Sequence, residues 1–175
     1  PPKGSALNTS LRKVITTLAF MATLAALATQ PAAAAPRAVE PFDTTTWSAL
    51  QAGLKQPTVV VFSTTDCAHC PAVIDSLAQR IRGRQLRASL LAVVMDVAPG
   101  EDDAALLKHP HYGRAHRVLA FSGQAPALRH SVNPQWRGIT PYVVFLAPGQ
   151  APQAVTGPPS DGTVQAWARS SGPQR

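Results

Sequence analysis

The sequence predicts a single α/β domain, because short charge-free stretches rich in β-branched residues alternate with amphipathic helical segments. The 175 residues fit one domain of ordinary size, and an apolar content of 45% is enough for a hydrophobic core. Seventeen prolines argue against a helical bundle or a coiled coil. Two cysteines are too few for a small disulfide-stapled scaffold or for a zinc site made of four cysteines.

The first 34 residues are predicted to be a secretory signal peptide. Lys3, Arg12 and Lys13 give a basic start, and the charge-free, largely apolar stretch that follows ends in small residues at 32–35. We expect cleavage after Ala34. The alternative is a membrane anchor that stays attached, because the charge-free run is about long enough to cross a bilayer.

Cleavage would leave one domain at 35–175, in which 13 basic and 9 acidic residues give a net charge of +4. So small an excess does not indicate nucleic-acid binding. The signal peptide predicts export, which we expect to be to the bacterial periplasm, where disulfides form and persist. Contact with a membrane is expected only if the N-terminal segment is retained.

Helices and buried strands alternate in the first half of the domain. Asp43 or Thr44 can cap the first helix, Cys67 opens the second, and Gly83 ends it. The strands carry no charge, which is typical of burial on both faces of a sheet. The predicted elements are a helix at 43–53, a strand at 58–62, a helix at 67–83 and a strand at 90–97.

Glycine and proline divide the second half of the domain into shorter elements. A closing helix is expected to begin at Ser160 or Asp161. Before it we predict helical stretches at 101–108, 114–121 and 125–132, a buried strand at 142–146 and the returning strand of a hairpin at 154–156.

The most informative motif is Cys67-Ala68-His69-Cys70, which lies between a buried strand and an amphipathic helix. Two cysteines three apart on a first helical turn can close a disulfide, and a helix N-terminus favours the thiolate of Cys67, which is the nucleophile. Ala68 and His69 are expected to tune this thiolate, His69 as an imidazolium. Stabilising the reduced form makes the disulfide a stronger oxidant.

Two other interpretations of the cysteine pair stay open. In the first interpretation, the pair is half of a tetrahedral metal site, and His109, His111 and His116 are the candidates for the missing ligands. It is alternatively an inert structural disulfide. We favour dithiol redox chemistry without a metal, because of the position of the pair at the start of a helix.

With these motifs the chain resembles the thioredoxin superfamily over roughly residues 38–170. A strand, the C-x-x-C pair, a helix, a strand and a later proline that opens a hairpin follow one another in that family's order. The resemblance implies a cis peptide bond between Thr140 and Pro141, which would face the cysteines and bind the substrate backbone. Trp136 would line the same groove. The segment at about 98–138 is predicted to be a helical insertion before the strand that follows Pro141, similar to exported proteins of the Dsb type.

The resemblance leaves the direction of the reaction open. The Thr140-Pro141 pair looks like the Dsb isomerases and reductases, whereas a histidine before the second cysteine looks like the Dsb oxidase. In one respect the chain departs from the family: the buried acid of minimal thioredoxins falls on Val61. That departure leaves no obvious carboxylate to deprotonate Cys70.

The sequence therefore predicts an enzyme, an exported thiol–disulfide oxidoreductase that exchanges disulfides with protein substrates and with an unidentified redox partner. Cys67 would attack, Cys70 would resolve the mixed disulfide, and Thr140 and Pro141 would hold the substrate chain. No dissociable cofactor is expected, because the electrons reside in the cysteine pair. The alternative is a metal-binding, copper-handling module on a thioredoxin fold.

Overall fold

The computed structural model describes residues 35–172, in which a six-stranded sheet is covered by helices on both faces. The predicted signal peptide lies outside the described residues. The strands are β1 (Val39–Phe42), β2 (Thr58–Ser63), β3 (Ser89–Val94), β4 (Arg117–Phe121), β5 (Tyr142–Leu146) and β6 (Gln153–Thr156). The helices are α1 (Thr44–Ala52), α2 (Cys70–Arg82), α3 (Asp103–Lys108), α4 (Ala125–Val132) and α5 (Asp161–Ser170), with a short 3-10 helix at Tyr112–Arg114.

The sheet is mixed, and its strands lie in the order β1-β4-β3-β2-β5-β6. The pairs β1–β4, β4–β3 and β3–β2 are parallel, whereas β5 pairs antiparallel with both β2 and β6. Strand β2 is thus central, and all six of its residues are buried. The prediction of a strand buried on both faces is confirmed.

The core has two layers, one on each face of the sheet, and β2 shows how the sequence builds them. Val59 and Val61 belong to one layer and Val60 and Phe62 to the other, as the two-residue period of a strand requires. The first layer is completed mainly by α2 and α5, and the second by α1 and α4. The predicted α/β class is confirmed.

Helix α1 begins as predicted, at a cap made by Asp43. The Asp43 carboxylate accepts hydrogen bonds from the backbone N–H groups of Thr45 and Thr46, both at 2.9 Å, and the Thr46 hydroxyl accepts one from the Asp43 N–H at 3.0 Å. Hydrogen bonds from the side chains and backbone of Thr45 and Thr46 lower the pKa of Asp43 to about 2. Gly53 ends the helix.

The prediction of a helix at 114–121 is wrong, because Arg117–Phe121 forms strand β4 between β1 and β3. The residues Val118, Leu119 and Ala120 are fully buried, which a strand inside a sheet requires and an exposed surface helix does not. The segment at 98–138 is therefore not wholly helical: it contains two helices, a 3-10 turn and one strand of the sheet.

Strand β1 was not predicted, and β3 ends at Val94 instead of 97. Strand β1 has four residues and contains Glu40 and Pro41, which hide a strand pattern. Pro41 is tolerated because β1 lies at the edge of the sheet. Within residues 35–172, no helix has both the length and the apolar character needed to cross a membrane.

Candidate active site

The turn between β2 and α2 carries a disulfide between Cys67 and Cys70, with Ala68 and His69 between the two cysteines. Cys70 is 1% exposed, whereas Cys67 is partly exposed. The sulfur of Cys67 is therefore the more accessible end of the disulfide.

The prediction that Cys67 opens the helix is wrong: α2 begins at Cys70, and His69 is the residue that precedes it at the N-cap. The reason is Pro71. A helix that began at Cys67 would need an N–H from Pro71 to reach the Cys67 carbonyl, and proline has none. Pro71 instead occupies the first helical turn, where a missing N–H costs little.

The sulfur of Cys67 nevertheless lies at the N-terminus of α2. The backbone N–H of Cys70 donates a hydrogen bond to Cys67 Sγ at 3.2 Å. A donor at a helix N-terminus stabilises negative charge on the acceptor. The expected support for a Cys67 thiolate thus comes from the first N–H of α2, although Cys67 itself lies in the turn that precedes the helix.

Ala68 and His69 are both exposed beside the disulfide. The His69 side chain makes no capping hydrogen bond to α2. It lines a groove of about 170 Å³ together with Val73 of α2, Pro159 of the segment before α5 and Val164 of α5. Tuning of Cys67 by Ala68 and His69 stays a prediction.

Thr140 and Pro141 lie beside this turn, because of the register of β5. Phe62 of β2 pairs with Tyr142 of β5, so Pro141 comes at the end of β2 from which the cysteine turn departs. The Thr140–Pro141 peptide bond is cis, as the resemblance implies, and the Pro141 carbonyl accepts a hydrogen bond from the Gly157 N–H at 2.8 Å. Ile139, the residue before Thr140, is 59% exposed. It is the one exposed large apolar residue in the part of the chain that the structure describes.

Trp136 supports this loop from inside. The residue is only 7% exposed, and its ring stacks on Tyr142 with centroids 4.3 Å apart. Its indole N–H donates to the Ile139 carbonyl at 3.1 Å. Trp136 thus positions the residues that precede Thr140 and offers little surface of its own, and the expectation that it lines a substrate groove stays a prediction.

Two residues that the sequence did not single out anchor the start of the cysteine turn. The Asp96 carboxylate, just after β3, accepts hydrogen bonds from the Thr65 N–H at 2.9 Å and the Thr65 hydroxyl at 2.6 Å. The Tyr112 hydroxyl bonds Ser63 Oγ at 2.8 Å and donates to the Thr64 carbonyl at 3.2 Å. Burial is the main cause that raises the pKa of Tyr112. No sequence signal indicated this role, because the strand predicted at 90–97 extended past Asp96.

The three histidines considered as metal ligands are not brought together. His109 and His111 line a crevice beside the disulfide, with ring centroids 5.0 Å apart. His116 is engaged elsewhere, since its Nδ1 accepts the Leu90 N–H at 2.8 Å. Among residues 35–172, no three His, Cys, Asp or Glu side chains converge in a way that could hold a metal ion.

Comparison with solved structures identifies the fold. A protein from Neisseria meningitidis, provisionally assigned as a thioredoxin, is 17% identical and matches with a TM-score of 0.51 over 67% of this chain and 75% of that chain. The chain has a thioredoxin fold. The prediction of this fold from the motifs is therefore confirmed.

Two further structures are similar to this thioredoxin-fold chain. A secreted Mycobacterium tuberculosis disulfide oxidoreductase, homologous to Escherichia coli DsbE, is 18% identical over 70% of this chain and 85% of its own, with a TM-score of 0.49. DsbF of M. tuberculosis, solved in mixed oxidised and reduced forms, is 14% identical over 69% and 84%, with a TM-score of 0.38. No protein-family model and no curated protein matches the sequence.

Proposed function

We propose that the protein is a thiol–disulfide oxidoreductase that exchanges disulfides with protein substrates. The observation that carries the proposal is the Cys67–Cys70 disulfide, whose more accessible sulfur accepts an N–H at the start of α2. A thioredoxin fold with a cis Thr140–Pro141 bond beside that disulfide supports the same function.

In the reduced protein, Cys67 is the attacking group. Its thiolate attacks a substrate disulfide and forms a mixed disulfide, which Cys70 then resolves by attacking the Cys67 sulfur. The Cys70 N–H stabilises negative charge on Cys67 before the attack. Two electrons pass between the cysteine pair and the substrate, so the exchange requires no dissociable cofactor.

The substrate chain is held by the loop before β5. Thr140 and Pro141 lie next to the cysteine turn, and exposed Ile139 adds apolar contact for an unfolded or extended segment. Trp136 fixes this loop through the Ile139 carbonyl. Backbone contact with Thr140 and side-chain contact with Ile139 suit a range of protein substrates rather than one small molecule.

We also propose that residues 1–34 are a signal peptide and that 35–175 form the exported domain, with the periplasm as its compartment. The basic start and small-residue end of the N-terminal segment support this proposal. N-terminal sequencing of protein recovered from the cell envelope tests it: a mature chain that starts at Ala35 supports the proposal, and one that retains Lys3 contradicts it.

Replacement of Cys70 by Ala tests the enzymatic proposal. The variant lacks the resolving thiol, so mixed disulfides between Cys67 and substrate proteins should accumulate and be visible on non-reducing gels. Cys67→Ala is the matched control and should trap far fewer, because Cys70 is buried. Absence of adducts in Cys70→Ala, while Cys67 is still alkylated readily, would contradict the proposal.

The direction of transfer is decided by the reduction potential of the pair. A value of about −120 mV would make the protein an oxidant, and one of about −270 mV a reductant, on the scale of thioredoxin-fold enzymes. Equilibration of the protein with glutathione buffers measures it directly.

A further inference from the structure

Resolution of a mixed disulfide requires Cys70 to lose its proton in a buried position. Cys70 is 1% exposed, and burial in apolar surroundings disfavours a thiolate. Val61 stands where the resemblance places a buried acid and is itself fully buried among apolar side chains. Strand β2 therefore supplies no carboxylate at that position, and the proton of Cys70 needs another acceptor.

A small crevice beside the disulfide brings such an acceptor close. It is lined by both cysteines and by side chains of the segment that follows α3, including His109, His111 and Tyr112. Its volume of about 10 Å³ is on the scale of one water molecule. A proton can therefore pass from Cys70 to this segment directly or through a single water.

His109 is the group in the crevice that is free to accept a proton. Its Nδ1 is buried and has no hydrogen-bond partner among the described residues, which is also true of His111 Nδ1. Burial, and next the charge of His111, lower the pKa of His109 below its ordinary value. A lowered pKa favours the neutral imidazole, which has one nitrogen that accepts.

His111 is less suited to this role. Its Nδ1 lies 3.4 Å from the Asp75 carboxylate. Arg114 lies 3.1 Å from the same carboxylate. His111 is thus engaged with an acid on α2, whereas His109 has no acidic side chain against it among the contacts of the described residues.

We propose that His109 accepts the proton of Cys70 when Cys70 resolves the mixed disulfide, an inference that rests on the function proposed above. The Cys70 S–H proton moves to the His109 imidazole, and the Cys70 thiolate attacks the Cys67 sulfur. The Cys67–Cys70 disulfide forms, the bond between Cys67 and the substrate sulfur breaks, and the substrate leaves as a thiolate. In the opposite direction, imidazolium returns the proton to the departing Cys70.

The charged and titratable groups around this site come from several elements and bear on its pH dependence. Apart from the cysteines themselves, they are His111, Tyr112 and Arg114 of the segment that holds His109, Asp75 of α2, Asp66 of the cysteine turn and Asp96 after β3. The test below therefore compares variants across pH rather than at one pH.

The test separates attack by Cys67 from resolution by Cys70. The reduced protein is mixed with dithiobis(nitrobenzoate), an aromatic disulfide that releases a coloured thiolate at each step. The first release depends on reagent concentration and reports Cys67. The second is independent of concentration and reports Cys70.

We expect His109→Gln to slow the second release roughly 100-fold at neutral pH, the scale on which a general base contributes. The first release should be unchanged, and the rise of the second with pH should move to higher pH, because Cys70 must then ionise without a local acceptor. His111→Gln is the matched control and should leave both phases nearly unchanged. In His109→Ala, added imidazole should partly restore the second release, which a purely structural defect would not allow.

A second release at the wild-type rate in His109→Gln overturns the proposal, as does a slower one with an unaltered pH profile. A wild-type first release in the variant shows that it has folded. The two proposals fail differently: if the wild-type protein itself gives no second release, the function proposed above fails, whereas a normal wild-type reaction with unaffected His109 variants refutes only the role of His109.

Discussion

At the scale of single residues, the two sulfurs of the disulfide have different surroundings. Cys67 is partly exposed and accepts the Cys70 N–H, whereas Cys70 is 1% exposed. An incoming thiolate reaches Cys67 first, and Cys70 is the better-shielded partner that closes the pair again. The difference in burial therefore supports the proposed order of attack without reference to any relative.

Of the two exposed residues between the cysteines, His69 is the one whose side chain can carry a charge. A cation there stabilises the Cys67 thiolate and so the reduced state. We predict that His69→Ala lowers the reduction potential by about 30 mV, which corresponds to a tenfold change in the exchange equilibrium for a two-electron couple. Equilibration with glutathione buffers gives the value.

The effect of His69 should shrink as salt is added, because the side chain is exposed and its field is screened. His130→Ala, on α4, is a suitable control, since it removes another exposed histidine and should leave the potential unchanged. A potential that does not fall in His69→Ala would remove His69 from the tuning of Cys67.

At the scale of elements, the sequence predicted those whose signals are local. Helix α4 at Ala125–Val132 and strand β5 at Tyr142–Leu146 have the predicted bounds, and the caps of α1 and α5 lie at predicted residues. Strand β4 was mistaken for a helix because a short apolar run fits both periods, and its neighbours β1 and β3 decide between them.

The candidate site shows the same difference between features with a local sequence signal and features that depend on distant contacts. The cysteine pair was predicted from its own spacing and position, and the Thr140-Pro141 pair from the resemblance to the thioredoxin superfamily. The contacts of Asp96 and Tyr112 with the cysteine turn join segments 31 and 48 residues apart, so no local pattern could predict them. The position of His109 beside Cys70 likewise depends on how the segment after α3 packs against α2.

The cap of α1 should make stability depend on pH. The folded pKa of Asp43 is about 2, against an ordinary value of 3.8, so its contribution is complete above pH 4 and is lost as the pH falls toward 2. We predict that Asp43→Ala lowers the midpoint of thermal unfolding at neutral pH, and that its difference from the wild type disappears over that acidic range.

Asp43→Asn is the matched control for this prediction. Asparagine caps helices about as well as aspartate but does not titrate, so the variant should keep most of the stability and show no loss of its own between pH 4 and 2. A difference between wild type and Asp43→Ala that persists unchanged at pH 2 would show that the cap acts without the carboxylate charge.

At the scale of the whole molecule, the disulfide closes a very small loop beside an extensive core. The two core layers cover both faces of the sheet, and the disulfide joins residues only three apart in sequence. The chain entropy that a cross-link removes from the unfolded state grows with the loop it closes, and for so short a loop it amounts to roughly 2 kcal/mol. Against this stands the donation from Cys70 to Cys67, which favours the reduced, thiolate state.

We therefore predict that the oxidised protein exceeds the reduced protein in free energy of unfolding by no more than about 2 kcal/mol at neutral pH. Denaturant unfolding of both forms under matched conditions, with Cys67→Ser/Cys70→Ser as a reference that cannot oxidise, measures the difference. The difference in free energy of unfolding between the oxidised and reduced forms should also shrink as the pH rises through the ionisation of Cys67. An oxidised form more stable by about 4 kcal/mol, the range of structural disulfides, would mean that the bond stabilises the fold too strongly to turn over.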